Sequence, residues 1–291
     1  MKKATNQRFS IEIIFIKGYT YITYIKLLRA SPLYRLRRAQ KDGHNMDTLS
    51  VKKTHTVYRD GDRVLKIYCE DYPKGDVFAE AHNQALIEQS GIKAPVVYGV
   101  REVDGKWAIE MQYISADNLQ ALLDAHPEKE DEYLKLFVNL HMGVYAFKLT
   151  SLYRLVDKIN LAISKTDLLA TVKYDLHTRS DDRRKHTRVC HGNFIPENVK
   201  VGKDGKCFIL DWSRATQGNP QIDIANTYLL LKLDGKEGFA EKYLALMAEK
   251  SVYTREDIVR WLPVVAAQRL VGCREEERAF LLGIIGVKDI K

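Results

Sequence analysis

Cysteine is scarce in this chain. Cys69, Cys190, Cys207 and Cys273 are scattered, with no C-x-x-C pair and no histidine at metal-ligand spacing. That argues against a disulfide scaffold and against zinc, and favours reduced, cytoplasmic surroundings. Long apolar runs are missing too. The stretch "FSIEIIFIKGYTYITYIKLL" is interrupted by Glu12, Lys17 and Lys26, and its longest clean run is Ile13 to Ile16. A lysine near the centre of a span costs about 2.5 to 3.5 kcal/mol. The stretch therefore reads neither as a transmembrane helix nor as the apolar core of a secretory signal. Repeats and low-complexity segments are absent.

An excess of one charge is also missing from most of the chain, despite a formal net charge of +8. Ten of the 46 Lys and Arg, but only two of the 38 Asp and Glu, fall in residues 1–45. The remainder is balanced at 36 of each, so the high isoelectric point gives no reason to expect nucleic-acid binding by the main body. Residues 1–45 read as a basic extension, the least ordered part of the chain, with Met46 a natural start for the balanced domain. Three readings of it stay open: a non-native extension, a basic arm on a membrane surface or on the body, and an anchor. Membrane contact is expected only through these residues.

With 291 residues and 45% hydrophobic content the chain can build one large domain or two lobes, each with a core. Three Asp-Gly pairs, at Asp60, Asp104 and Asp204, sit between β-branched and aromatic runs, the strongest short-range hairpin signal. "GDVFAEAHNQALIEQSG" reads as a helix stopped at Gly91. Beyond the connector "YISADNL" the chain turns helical, through "NLQALLDAHP" and "DEYLKLFVNLHMGVYAFKL". "TREDIVRWLPVVAAQRL" near the end has a capping box from Thr254 to Asp257 and a kink expected at Pro263. The expected fold is α+β: a small β-rich N-lobe over residues 46–115, a larger, mainly helical C-lobe over 116–291, and a cleft between them.

The third hairpin carries the chemistry. In "CHGNFIPENVKVGKDGKCFILDW", Asn198 precedes one strand and Asp211 follows its partner, so the hairpin brings both to one end. A carboxylate and an amide oxygen are hard donors suited to Mg²⁺, which keeps its other positions for water and phosphate. Taken singly, a turn residue and a loop amide would explain them; their joint spacing favours the metal.

His191, Gly192, Asn198, "LDW" at Asp211 and "DIA" at Asp223 together resemble the catalytic segment of the aminoglycoside phosphotransferase and choline kinase group, distant relatives of protein kinases. "KHTRVCHGNFIPENV" with "DWSRATQGNP" is similar to a small bacterial subfamily of that group. The resemblance implies a protein-kinase-like two-lobed fold and transfer of the γ-phosphate of ATP, or another nucleoside triphosphate, to a hydroxyl of a small molecule. It implies that Lys66 pairs with nucleotide phosphates and with Glu80, that His191 positions the catalytic loop, and that Asp223 braces it. The strand alternation of "RVLKIY" separately places Lys66 on the partly apolar face of Val64 and Tyr68.

Two positions depart from the group. The turn expected to cover the nucleotide, "SVKKTHTVY", contains no glycine, leaving Ser50, Thr54, Thr56, Lys52 and Lys53 as candidate phosphate partners. At the position of the catalytic aspartate stands Asn193, which can accept a hydrogen bond from the acceptor hydroxyl but cannot take its proton. Glu197 is a rival base that reads as structural. The alternative function is a nucleotide-binding pseudo-kinase with a regulatory or scaffolding role. An aminoglycoside acceptor would want an acidic groove, for which "EKEDE" and "REEER" are available, although a solvated helix face explains them just as well.

Overall fold

The computed structural model describes residues 46–181 and 186–287. The basic extension read at 1–45 lies outside the described residues. Strands β1 (Asp47–Val51), β2 (His55–Asp60), β3 (Arg63–Tyr68), β4 (Val97–Val103) and β5 (Lys106–Gln112) form one sheet in the order β1-β2-β3-β5-β4. The pairs β2–β3, β3–β5 and β4–β5 are antiparallel. At the β4–β5 turn Asp104 and Gly105 both have positive φ, 49° and 76°, as a two-residue hairpin turn of the primed type requires. The β2–β3 turn falls on Gly61 and Asp62, one residue later than the Asp-Gly pair suggests, because Asp60 remains in the ladder opposite Arg63.

Helix α1 (Lys74–Ser90) crosses from this sheet and ends at Gly91, φ 89°. Only glycine adopts that left-handed stop without penalty. Val77 packs with Tyr68 and Ile109 in a small sheet-side core, whereas Ile87 joins the main core. One helix thus ties together the two hydrophobic layers.

The chain then becomes helical: α2 (Leu119–Ala125), capped by Asn118, α3 (Glu130–Val144), α4 (Leu155–Lys165) and α5 (Ala170–Ser180). Helix α3 stops at Val144, short of the expected Leu149. The Phe147 carbonyl instead accepts from Val189 N at 3.0 Å, because the chain peels away to meet β7 (Arg188–Cys190). Strands β8 (Val199–Val201) and β9 (Cys207–Ile209) form the third hairpin, with the two-residue β6 (Asp117–Asn118) alongside β8. β10 (Thr216–Gly218) pairs with β7.

Helices α6 (Pro220–Leu233), α7 (Glu237–Lys250), α8 (Arg255–Val259), α9 (Leu262–Leu270) and α10 (Glu275–Ile285) complete the body. The Thr254–Asp257 capping box is present. At Pro263 the expected kink is a full break between α8 and α9, since proline lacks the N–H and suits the first turn of a new helix. α6 is buried on nearly every side, with Ile224, Ala225 and Leu229 fully shielded. It is the central beam on which the site rests.

Candidate active site

The Cys190–Asn198 loop is held from beneath by Asp223, in the first turn of α6. Its two carboxylate oxygens accept the backbone N–H groups of His191 and Gly192, each at 2.8 Å. The second oxygen also faces His141 Nε2 at 3.2 Å and accepts from the Tyr145 hydroxyl at 3.3 Å. Burial alone would raise the pKa of Asp223. The His141 hydrogen bond and charge, with the Gly192 N–H, outweigh that and hold it below the ordinary range. Phe194 anchors the loop from another side, its ring stacked on His141 at 4.0 Å between centroids and 4.7 Å from Phe137.

Glycine is obligatory at 192. Its φ is 75°, and a Cβ there would lie 2.8 Å from the Arg214 carbonyl oxygen, a distance that real Cβ atoms do not sustain.

His191 is fully buried and accepts the Asn193 N–H on Nδ1 at 3.1 Å, while Nε2 donates to the Leu210 carbonyl at 3.0 Å. Both contacts suit a neutral ring with its proton on Nε2, and burial pushes its pKa down to about 4. In the unfolded chain it returns to about 6.5. Unfolded protein therefore binds the proton first: stability is complete above pH 6.5 and is lost as pH falls toward 4, by about 1.4 kcal/mol per unit. Urea midpoints at pH 7 and pH 5 are expected to show this fall. A His191→Gln variant, which cannot take up that proton, is expected to show a smaller one; an equal fall would count against His191 as its source.

Above the loop, the nucleotide and metal candidates meet. Lys66 Nζ lies 2.6 Å from Glu80 Oε1 and 3.5 Å from Asp211 Oδ1, all three side chains being mostly buried. Burial would lower the Lys66 pKa, but Asp211 and Glu80 raise it above its ordinary value, so the cation persists. Asp211 opposes burial through the charges of Lys66 and Lys52 and the Ser213 hydroxyl, and lies well below the usual carboxylate range. Its backbone is left-handed, φ 60° and ψ 62°, a conformation asparagine and aspartate tolerate best.

Asn198 and Asp211 stand at the same end of the third hairpin, as the spacing suggested. Leu210 N donates to the Asn198 carbonyl at 2.8 Å, continuing the β8–β9 ladder to its mouth. The Asn198 amide donates to the Asn193 carbonyl at 2.9 Å, leaving its side-chain oxygen to act as a donor atom. Asn193 Nδ2 donates to Asp211 Oδ2 at 2.9 Å, so the residue at the base position is tied directly to the candidate metal ligand. One ionised carboxylate beside one amide oxygen fits a hard, oxygen-seeking cation.

These groups line a cavity of about 700 Å³. Of the candidates in the glycine-free turn, Ser50 and Lys52 line it. Thr54 does not; its hydroxyl bonds to His55 Nδ1 at 3.0 Å. Glu197 pairs with Lys236 at 2.6 Å, which supports its reading as a structural residue. His141, Tyr145 and Phe194 are site residues that motif spacing does not reveal. A sequence signal for His141 exists: it occupies the buried register of α3 with Leu134, Phe137, Val138 and Val144, and a polar ring at such a position needs a partner.

The geometry can be set beside known proteins. A thermostable mutant of aminoglycoside phosphotransferase APH(4)-Ia, solved in a ternary complex with ADP and hygromycin B, superposes with a TM-score of 0.64 at 14% identity, over 86% of this chain and 96% of that one. Choline kinase LicA from Streptococcus pneumoniae gives 0.54 at 15% identity, over 88% and 97%. A choline/ethanolamine kinase family protein from Mesorhizobium loti gives 0.56 at 16%, over 91% and 92%. These likenesses show the kinase-like fold. A search of curated proteins found no match. The sequence profile of the phosphotransferase enzyme family matches residues 50–257, well over half of the chain and all of the site, and so the chain belongs to that family and is a kinase-like phosphotransferase.

Proposed function

We propose that the protein transfers the γ-phosphoryl group of ATP, or of another nucleoside triphosphate, to a hydroxyl of a small molecule, with Mg²⁺ as cofactor. The observation that carries this is the junction at Lys66, a buried ammonium shared by Glu80 and Asp211. Glu80 fixes the Lys66 side chain so that its remaining N–H bonds point to phosphate oxygens. Asn198 and Asp211 would hold Mg²⁺, which when bound neutralises charge on the phosphates. Neighbours solved with ADP, AMP-PNP and hygromycin B support a nucleotide and a small-molecule acceptor.

Asn193 accepts the hydrogen bond of the acceptor hydroxyl on its side-chain oxygen while its amide stays on Asp211. The bond from the γ-phosphorus to the β-phosphate oxygen breaks, its electron pair remaining on that oxygen. The acceptor oxygen bonds to the phosphorus, and the hydroxyl proton passes to water because an amide cannot keep it. His191 and Asp223 never touch the reacting atoms; they hold the loop that presents Asn193.

The test is thermal unfolding with ADP or ATP, with and without Mg²⁺. At a hundredfold excess over Kd, binding adds about 2.7 kcal/mol, and each kcal/mol shifts Tm by about 2–4 °C at this chain length. A Mg²⁺-dependent rise of several degrees is expected, reduced in Asp211→Ala. No shift with either nucleotide would sink the proposal.

A further inference from the structure

In a small pocket beside the catalytic loop, Lys158, Arg214 and Arg269 outnumber the single carboxylate of Asp223. Of the two acidic stretches, Glu130 and Asp131 pair with Lys242 at 2.7 and 3.1 Å, while Glu275 and Glu276 are exposed. Glu277 is buried, takes Arg269 in a fork of two 3.2 Å hydrogen bonds, and accepts a third from Arg274 at 2.7 Å. The pocket, of about 70 Å³, opens beside Gly192, and its polar wall is Lys158, Arg214, Arg269, Asn226 and Gln268, together with Asp223, whose carboxylate is already taken by the His191 and Gly192 N–H groups. Arg269 also lines the large cavity that contains Asn193. The pocket therefore adjoins the catalytic loop at the residue next to the base position.

Two of the three cations of this pocket lack a paired carboxylate, whereas Arg269 is already forked on Glu277. Among the described residues neither Lys158 nor Arg214 has a carboxylate within ion-pair distance, and the Lys158 ammonium reaches only the Arg214 carbonyl, at 3.5 Å. Burial and the neighbouring guanidinium push Lys158 down to about 8, with Asp76 the carboxylate that opposes this. Arg214 is lowered by burial and by Arg269, and is supported from a distance by Asp211 and Tyr72. Arg214 nonetheless remains exposed, and its backbone is packed under Gly192, which roots its side chain beside the catalytic loop. A guanidinium and an ammonium on one pocket wall, with two amide side chains to complete the ring, have the donor pattern of an oxyanion site.

We propose that the acceptor carries an acid group, phosphate or carboxylate, which Arg214 and Lys158 bind with Arg269 behind them, and which sets the acceptor hydroxyl against Asn193. This rests on the phosphotransferase reading above and names its substrate class: a hydroxylated anion, in contrast to a polyamine sugar or an amino alcohol. The anion leaves the pocket unchanged; only the hydroxyl oxygen gains phosphorus.

Titration calorimetry of the full chain tests it, with the γ-phosphate position first filled by Mg²⁺ and AMP-PNP and inorganic phosphate then added as the probe. Phosphate is expected to bind, at least tenfold more weakly in Arg214→Ala and in Lys158→Ala, and within about threefold of the parent in Arg214→Lys. AMP-PNP affinity is expected to be the same in all. If AMP-PNP binds but phosphate does not, or binds Arg214→Ala as well as the parent, the anionic acceptor is overturned and the nucleotide reading stands. If AMP-PNP itself does not bind, both fall. In turnover with ATP, a preference for choline over glycerol 3-phosphate and glycerate would also overturn the inference, whereas the order of the two acids tells phosphate from carboxylate.

Discussion

Replacing Asn193 by aspartate is expected to raise phosphoryl transfer about a hundredfold and, in the same stroke, to destabilise the metal-free protein. General-base assistance is worth about 10² to 10⁴ in rate. The low end applies because the transition state is loose and positioning carries most of the acceleration. The stability cost has a separate origin. Asn193 Nδ2 now donates to Asp211 Oδ2 at 2.9 Å; an aspartate would remove the donor and set two carboxylates at that separation in a half-buried site. Losing such a bond and adding like-charge repulsion costs about 1 to 3 kcal/mol. Mg²⁺ with ADP should recover most of it by standing between the carboxylates. Steady-state rates, together with Tm with and without Mg²⁺, separate the two effects. Unchanged metal-free stability would mean that the amide does not link base position and metal ligand. The same variant decides the fate of the binding-only alternative: equal, measurable turnover in both forms excludes it, and a rise from an undetectable level leaves the absent base as the only defect.

What made the nucleotide half of the site readable was local geometry with few solutions. A strand lysine and a helix glutamate fourteen residues apart can meet only if strand and helix pack face to face, and Lys66 and Glu80 do meet at 2.6 Å. Asn198 and Asp211 flank a hairpin, and the ladder fixes their separation without help from the rest of the chain. The brace beneath the loop was not readable in the same way. Asp223 draws on His141, 82 residues earlier, and His141 in turn on Tyr243, 102 residues later; no local pattern records a contact assembled from three helices. The acidic stretches were only partly readable for a similar reason. In "REEER" the solvated reading holds for Glu275 and Glu276, whereas Glu277 is folded inward onto Arg269, and Lys158 and Arg214 line the pocket beside the catalytic loop. Composition counts charges, but only packing decides which are already spent.

That long-range brace makes the second large effect. Asp223→Ala is expected to lower the free energy of unfolding by about 3 to 5 kcal/mol, against a total of about 5 to 15 for a protein of ordinary stability. The change strips the acceptor from the backbone N–H groups of His191 and Gly192 and leaves the Tyr145 hydroxyl with His141 alone, and each unsatisfied buried donor costs about 1 to 3 kcal/mol. Asp223→Asn keeps the shape but turns one acceptor into a donor, so one of the His191 and Gly192 N–H groups would face another N–H; about 2 to 3 kcal/mol is expected. Acid gives the same result without mutation. The Asp223 pKa is lowered in the folded state, so its contribution is complete above the unfolded value of about 3.9 and disappears as pH falls through the folded one, below the window in which His191 acts. Urea unfolding of Asp223→Asn at pH 7 measures the loss, and native-state exchange of the His191 and Gly192 amides locates it. If those amides exchange no faster than in the parent chain, the carboxylate is not what holds the loop under the acceptor.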